Sequence, residues 1–326
     1  MGRISMGRAI GDAYDFAFGK YFTVLGVVWL PLLLIAVGEY LVIFPLFRHL
    51  PDIFEFALRH PHEHASPPPE FMAMNGYIAL VNLAMILVMV WIRVGITKAA
   101  LDLPRGPRFA YFFVGMDELR VVGAYVVFVA LLYGVIIAAV IVVAIVAAVV
   151  GALVAGGAFA QYDFSGLAPW AIGAAVALYV AFIAALIYVQ TRLVFLLVPV
   201  TVVEKRFGLW RSWELSKGNF WRIVVIAIGT VSPLVLVEIM FLLALYIPIA
   251  VGVVSMLHHH PEILHDHAAA PVAIFAEVFR RAIQLLPYTA IFGLALSPLI
   301  FGLTFSPSAF AYRSLVEKSG GKINAG

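Results

Sequence analysis

The chain has 326 residues, of which 64% are hydrophobic and only 12% are charged, and its formal net charge is +3. Soluble domains are about half apolar and about a quarter charged, so the composition excludes a protein that faces water on all sides. The absence of cysteine excludes disulfides and thiolate metal sites, and the small net charge gives no argument for nucleic acid as a partner. The composition predicts an all-α polytopic integral membrane protein.

Six apolar stretches are long enough to cross a bilayer, whose hydrocarbon core needs about 20 helical residues. They cover roughly residues 21–47, 71–96, 121–159, 170–203, 220–257 and 283–310. The third, fourth and fifth exceed one straight crossing, so they must tilt, kink or extend beyond the hydrocarbon. Pro199, Pro233 and Pro248 offer breaks in the fourth and fifth. Residues 1–326 are therefore predicted to form a single transmembrane domain.

Lysine and arginine are distributed unequally between the two sides that six spans define. Of the 21 such residues, the connections on one side carry only Arg48, Arg59, Arg280 and Arg281. The other 17 lie in the N-terminal segment, the second and fourth connections and the tail. Because cytoplasmic loops are enriched in Lys and Arg, both termini are predicted to lie in the cytoplasm.

Short cytoplasmic segments with aromatic and basic residues precede the first, third and fifth spans. Each segment is predicted to form an amphipathic helix in the headgroup zone, with Trp210, Trp213 and Trp221 as interfacial anchors around the last of them. The recurrence suggests parallel repeats, namely three hairpin units that cover residues 1–104, 105–204 and 205–326. The alternative is that any membrane hairpin has basic, aromatic cytoplasmic turns.

The run SWELSKGNFWR at residues 212–222 resembles a turn in a stand-alone family of uncharacterised bacterial inner-membrane proteins. That family is similar to the membrane domain that accompanies some glycerophosphodiester phosphodiesterases, and it usually has Thr where this chain has Ser216. In this run, Gly218 is predicted to end one helix and Asn219 to cap the next. The resemblance implies a six-span fold in a bacterial inner membrane and a loose association with envelope and lipid homeostasis. It implies no catalytic residues.

All nine histidines lie on the side opposite to the basic connections, and several adjoin carboxylates. Neutral imidazole is the commonest protein ligand for Zn, Cu or Ni, and a neighbouring carboxylate can orient it. The candidate metal ligands are His60, His62, His64, His258, His259, His260, His265 and His267. The alternative is a polar loop whose histidines bind metal only adventitiously.

Two carboxylates, Glu39 and Glu238, fall within predicted spans at similar depth. An intramembrane charge is costly and marks a functional candidate, so the pair could share a proton or accept a cation from the histidines. Alternatively, each caps a kinked helix or reaches outer water. At the cytoplasmic ends, lipid phosphate is the predicted ligand of Arg93, Arg192, Lys205 and Arg206. Ordinary snorkelling is the alternative for Arg192.

Small residues recur at four-residue spacing in the fourth span, at Gly173, Ala177, Ala181 and Ala185. Similar spacing in the third span predicts that these two spans pack as a close hairpin. Nucleotide-binding, zincin and serine-hydrolase motifs are absent from the sequence, so no enzyme activity is predicted.

The leading hypothesis for function is a non-enzymatic inner-membrane protein that binds, senses or handles lipid, with membrane lipids as its partners. One alternative is a transporter or metal-binding protein that uses the outer histidines and intramembrane glutamates. Another is a scaffold for partner membrane proteins, or a homo-oligomer.

Overall fold

The computed structural model describes residues 2–59, 69–104, 115–155, 168–261 and 269–318. These residues form helices and no strands, which confirms the predicted all-α fold class. In chain order the described helices are α1 (Met6–Gly19), α2 (Tyr21–Arg59), α3 (Pro69–Ala100), α4 (Met116–Ala155), α5 (Ala168–Val194), α6 (Leu197–Glu204), α7 (Leu209–Ser216), α8 (Phe220–His259) and α9 (Ala269–Lys318).

Six segments of the described helices are long and apolar enough to cross a membrane, which confirms the predicted number of spans. They are Tyr21–Gly38, Gly76–Ala100, Met116–Ile145, Val176–Glu204, Phe220–His259 and Pro287–Lys318. The helices that carry them are longer than one crossing: α9 has 50 residues, or about 75 Å at 1.5 Å per residue. Such helices extend beyond the hydrocarbon core.

The fourth span is interrupted at Phe195 and Leu196, between α5 and α6. Pro199 explains the position of this break, because proline lacks an N–H and its ring clashes with the carbonyl four residues earlier. Pro233 and Pro248 behave differently, since α8 continues through both of them. The sequence therefore located the break in the fourth span, whereas the expected breaks in the fifth span are wrong.

Helix α1 is one of the predicted interfacial helices, and it packs against α8 and α9. Its buried face consists of Ala9, Ala13, Phe16 and Ala17. Glycines allow the close approach: a Cβ at Gly302 of α9 would lie 3.0 Å from the Ala17 Cβ atom, and one at Gly229 of α8 would lie 3.0 Å from Ile10 Cδ1. Helix α7 is the second such helix, and it packs against α5. The remaining predicted interfacial helix falls largely on residues 105–114, outside the described residues.

The hydrophobic core lies at the end of the bundle that carries the Lys- and Arg-rich connections, which we call the basic end. Buried members of its main cluster include Ile4, Phe16, Ile92, Ile96, Leu196, Ile223 and Tyr312. Towards the opposite end, large apolar side chains such as Val140, Leu178 and Met240 are exposed. This distribution suits a membrane protein, because lipid tails are as apolar as the side chains that they cover.

The expected close packing of the third and fourth spans is wrong. Gly173, Ala177, Ala181 and Ala185 are all exposed on α5, and a Cβ at Gly173 would meet no atom within 4 Å. In the described residues, α4 packs mainly on α3 and α6, whereas α5 packs mainly on α7 and α8. The physical reason is the break at Phe195 and Leu196: α6, which follows the break, makes the contacts with α4 that α5 lacks.

Candidate lipid-contact site at the basic end

Large aromatic side chains project from the basic end without protein cover. We call this set the aromatic belt: Phe18, Phe22, Phe207, Trp210 and Trp221, which are between 59% and 82% exposed. In water such exposure would be unfavourable, but aromatic rings are enriched at the headgroup level of membranes. Two of the predicted anchors, Trp210 and Trp221, belong to the belt, whereas Trp213 is half-buried against the protein.

Three basic residues adjoin the belt along the stretch from α6 to α8. Lys205 ends α6 in the left-handed conformation, with φ of 53°, and Lys217 precedes α8. Both are exposed, and neither has a carboxylate within ion-pair distance among the described residues. The exposed Arg206 pairs with Glu204, which also binds Arg211. This stretch therefore presents uncompensated positive charge next to exposed aromatic rings.

Two other cations at the basic end are neutralised by Asp102, which follows α3. Its carboxylate lies 2.9 Å from Lys20 and 3.4 Å from Arg313. Partial burial raises the pKa of Asp102, but hydrogen bonds and charge from Lys20 and Arg313 outweigh that effect and hold the pKa below its ordinary value. Asp102 is thus ionised at neutral pH and compensates Lys20 and Arg313, whereas Lys205 and Lys217 of the α6–α8 stretch have no such partner among the described residues.

Arg192 lies in the last turn of α5 and is buried, with 6% of its surface exposed. Its guanidinium donates to Tyr188 Oη at 2.9 Å, to the Trp213 carbonyl at 2.8 Å and to Ser216 Oγ at 3.3 Å. It also lies 3.8 Å from the centre of the Trp213 ring. Ser212 and Ser216 both donate to its backbone carbonyl. The structure therefore directs this predicted lipid ligand towards α7, where it fastens α7 to α5.

Arg93 is arranged differently, at a point where α3 meets three other segments. Its guanidinium donates to the Tyr125 hydroxyl on α4 and, at 3.2 Å, to the carbonyl of Val194 at the end of α5. The rings of Tyr125 and of Phe305 on α9 lie 5.8 and 5.5 Å away. Among the described residues, no carboxylate forms an ion pair with it, and its buried Nε has no hydrogen-bond partner.

Sequence reasoning missed a buried ion pair between α3 and α4. Lys98 Nζ lies 3.0 Å from both Glu118 Oε1 and Asp117 Oδ2, and Glu118 is only 1% exposed. The second oxygen of Glu118 accepts the Gly115 N–H at 3.0 Å, as a carboxylate at the third helical position does in a capping box. The signal in the sequence is a lysine in the last turn of α3, Lys98, followed by two acidic residues in the first turn of α4, Asp117 and Glu118.

Asn219 has a role that the sequence did not predict. It precedes α8 as expected, and Gly218 before it adopts the left-handed conformation with φ of 76°. The Asn219 side chain, however, makes no capping hydrogen bond to α8. Instead Asn219 accepts the Ile4 N–H at 3.0 Å and donates to the Gly2 carbonyl at 3.2 Å. Arg222 donates to the Ile4 carbonyl at 2.7 Å. The family-like turn thus holds the N-terminal segment.

The two intramembrane carboxylates stay predictions. Glu238 lies on α8 and is exposed, while Glu39 lies in α2 and its side chain is outside the described residues. Whether they share a proton or a cation is therefore a hypothesis that rests on the sequence alone.

The predicted histidine site is only partly covered by the described residues. His258 and His259 are exposed at the end of α8, with ring centres 5.7 Å apart, and His259 Nδ1 lies 2.7 Å from the Ser255 carbonyl. In the described part of the chain, no group of three or more potential ligands could hold a metal ion. The remaining predicted ligands that lie outside that part are His60, His62, His64, His265 and His267. Binding of Zn, Cu or Ni stays a prediction.

Comparison with protein-family models, with curated proteins and with solved structures finds no match to this chain. The resemblance of residues 212–222 to a bacterial inner-membrane family therefore stays a prediction. What the structure establishes is an all-α polytopic membrane protein with six helices suited to crossing a membrane.

Proposed function

We propose that this protein is a non-enzymatic bacterial inner-membrane protein that binds and handles anionic lipid at its basic end. One observation carries the proposal: the exposed aromatic belt lies at the same end of the bundle as the unpaired cations Lys205 and Lys217. Rings of this kind take up positions among headgroups. Cations at that level attract the phosphates of anionic lipids.

The energetic argument favours lipid over a soluble anion. A basic residue near an anionic membrane surface contributes about 1 kcal/mol to the interaction, and the aromatic rings add apolar contact that free phosphate cannot match. Lys205, Arg206 and Lys217 lie beside Phe207, Trp210 and Trp221 of the belt. Such a combination favours molecules that carry a charged headgroup and an apolar tail together.

Neutralising the three cations is expected to reduce retention of anionic lipid. In the variant Lys205→Gln, Arg206→Gln, Lys217→Gln, the loss of about 1 kcal/mol per charge predicts roughly hundredfold weaker binding of phosphatidylglycerol in total. Native mass spectrometry of the protein, gently extracted and titrated with this lipid, measures the change.

The matched control keeps the charges at the same positions, as Lys205→Arg, Arg206→Lys, Lys217→Arg, and is expected to bind like the original protein. Phosphatidylcholine of the same chain length serves as the uncharged lipid control. Equal retention of phosphatidylglycerol by the glutamine variant and the original protein would contradict the proposed function.

A further inference from the structure

We propose that Arg93 and Tyr125 bind the phosphate of one anionic phospholipid, whose acyl chains lie along the exposed apolar surfaces of α4 and α5. This inference rests on the proposed function and assigns it a specific lipid site. The site is separate from the belt and its cations: it lies at the contact between α3, α4, α9 and the end of α5.

The charge environment of Arg93 is the first argument. The two buried cations that the structure describes at this end are compensated within the protein: Lys98 pairs with Asp117 and Glu118, and Arg192 uses all three guanidinium nitrogens. In the described residues, Arg93 has neither kind of compensation: its two bonds go to a neutral hydroxyl and a neutral carbonyl. A positive charge held among neutral groups lacks a counter-ion that an anionic ligand can supply.

The unused hydrogen-bonding capacity of Arg93 is the second argument. Its Nε is buried and has no hydrogen-bond partner among the described residues. A buried donor without an acceptor is costly, and such a group calls for an explanation, which a missing ion or water can give. A phosphate, with several acceptor oxygens, is suited to this role.

The depth of Arg93 suits a headgroup of the basic leaflet. It lies seven residues before the end of α3 at Ala100, or roughly 10 Å along the helix axis. Nearby aromatic rings lower the local dielectric, which strengthens a charge-assisted hydrogen bond. If a lipid phosphate binds at this depth, the glycerol of the same lipid lies at the level where the acyl chains begin.

Exposed apolar surfaces of α4 and α5 are available to those chains. Arg93 contacts one residue from each of the two helices, Tyr125 and Val194. Further along, both helices expose apolar side chains, such as Val129 on α4 and Ile187 on α5, one and two helical turns from those contacts. A phospholipid fits this arrangement because its charged end meets the arginine and its apolar end meets these exposed side chains.

A purely structural role for Arg93 makes a different prediction. Its bond to the Val194 carbonyl places a cation at the C-terminus of α5, which by itself stabilises a helix. If that were its whole role, replacing Arg93 would change stability but would leave lipid affinity unchanged.

The test titrates phosphatidylglycerol into the full-length protein and counts bound lipids by native mass spectrometry. Arg93→Gln is expected to weaken the tightest site by at least about tenfold, because it removes charge-assisted hydrogen bonds to the phosphate, and to remove one retained lipid. Arg93→Lys keeps the charge without the planar fork and should fall between the two. The matched control is Arg120→Gln, which removes a partly exposed cation paired with Asp117 at the same end and should bind like the original protein.

Circular dichroism and size-exclusion chromatography establish that each variant is folded. If Arg93→Gln does not fold, Tyr125→Phe and Arg93→Lys decide the question, and weaker lipid binding by both supports the inference. Affinity and stoichiometry equal to those of the original protein in the folded variants would overturn it. Displacement of the lipid by millimolar inorganic phosphate would also overturn it, because the site would then select free phosphate.

The outcomes for the two proposals are distinguishable. If the glutamine triple variant at Lys205, Arg206 and Lys217 loses lipid while Arg93→Gln does not, the proposed function stands and the Arg93 site fails. If only Arg93→Gln loses lipid, the cations beside the aromatic belt are not the lipid contact.

Discussion

Replacing Lys98 with methionine is expected to lower the free energy of unfolding by about 3–5 kcal/mol, the cost of leaving one member of a buried ion pair without its partner. Glu118 is 1% exposed and would keep its charge away from water. Asp117 would lose the same partner, which now lies 3.0 Å away. Because the pair joins the end of α3 to the start of α4, its loss should also loosen the contact between these helices. Thermal unfolding in detergent measures the change.

The double variant Lys98→Met, Glu118→Gln separates the lost charge pair from the lost volume. Glutamine still accepts the Gly115 N–H, but it carries no charge, so part of the stability should return. Lys98→Arg retains a cation and is expected to be closer to the original protein than Lys98→Met. A Lys98→Met variant that unfolds within about 1 kcal/mol of the original, as an exposed ion pair would, would contradict the buried-pair interpretation.

Replacing Arg192 with methionine is expected to cost roughly 3 kcal/mol, since each buried polar group left without its partner costs about 1–3 kcal/mol. The Trp213 carbonyl and the buried Ser216 hydroxyl would each lose a donor. Since these contacts fasten α7 to α5, the variant should also expose α7 to proteolysis before the rest of the protein unfolds. Limited proteolysis and thermal unfolding in the same detergent report both effects.

Arg211 offers a matched control for Arg192. It lies on α7 and pairs with Glu204 and Glu214 at 3.4 and 3.3 Å, but all three groups are partly exposed. Exposed ion pairs contribute about 0–1 kcal/mol, so Arg211→Met should be nearly neutral. If Arg192→Met and Arg211→Met destabilise the protein equally, the contacts of Arg192 do not specifically hold α7 against α5.

Features set by a local rule could be predicted from the sequence. Hydropathy is a property of consecutive residues, so the number of spans is confirmed. The proline rule is also local, and the fourth span is interrupted at Phe195, four residues before Pro199, because a helix cannot keep a regular hydrogen bond there. It fails for Pro233 and Pro248, where α8 continues, because neighbouring groups can satisfy the freed carbonyls in a membrane helix.

Features that depend on which helices become neighbours could not be predicted. The four small residues of α5 do not pack against α4 because α6 makes the contacts with α4 instead, and nothing in the spacing indicates α6. Arg192 contacts Trp213 and Ser216 only because the chain breaks and turns between them. Arg93 contacts Val194, which is 101 positions away, through the order of helices in the bundle. The candidate lipid site therefore required the structure.

The central claim is that the basic end of the bundle, with its aromatic belt, lies at the cytoplasmic face. Because the chain has no cysteine, single-cysteine variants at exposed residues of the two ends, Lys217→Cys and His258→Cys, can be labelled one at a time with a membrane-impermeant maleimide. In intact spheroplasts, His258→Cys is expected to be labelled and Lys217→Cys to be protected until the membrane is permeabilised. Labelling of Lys217→Cys in intact spheroplasts, with protection of His258→Cys, would contradict the account.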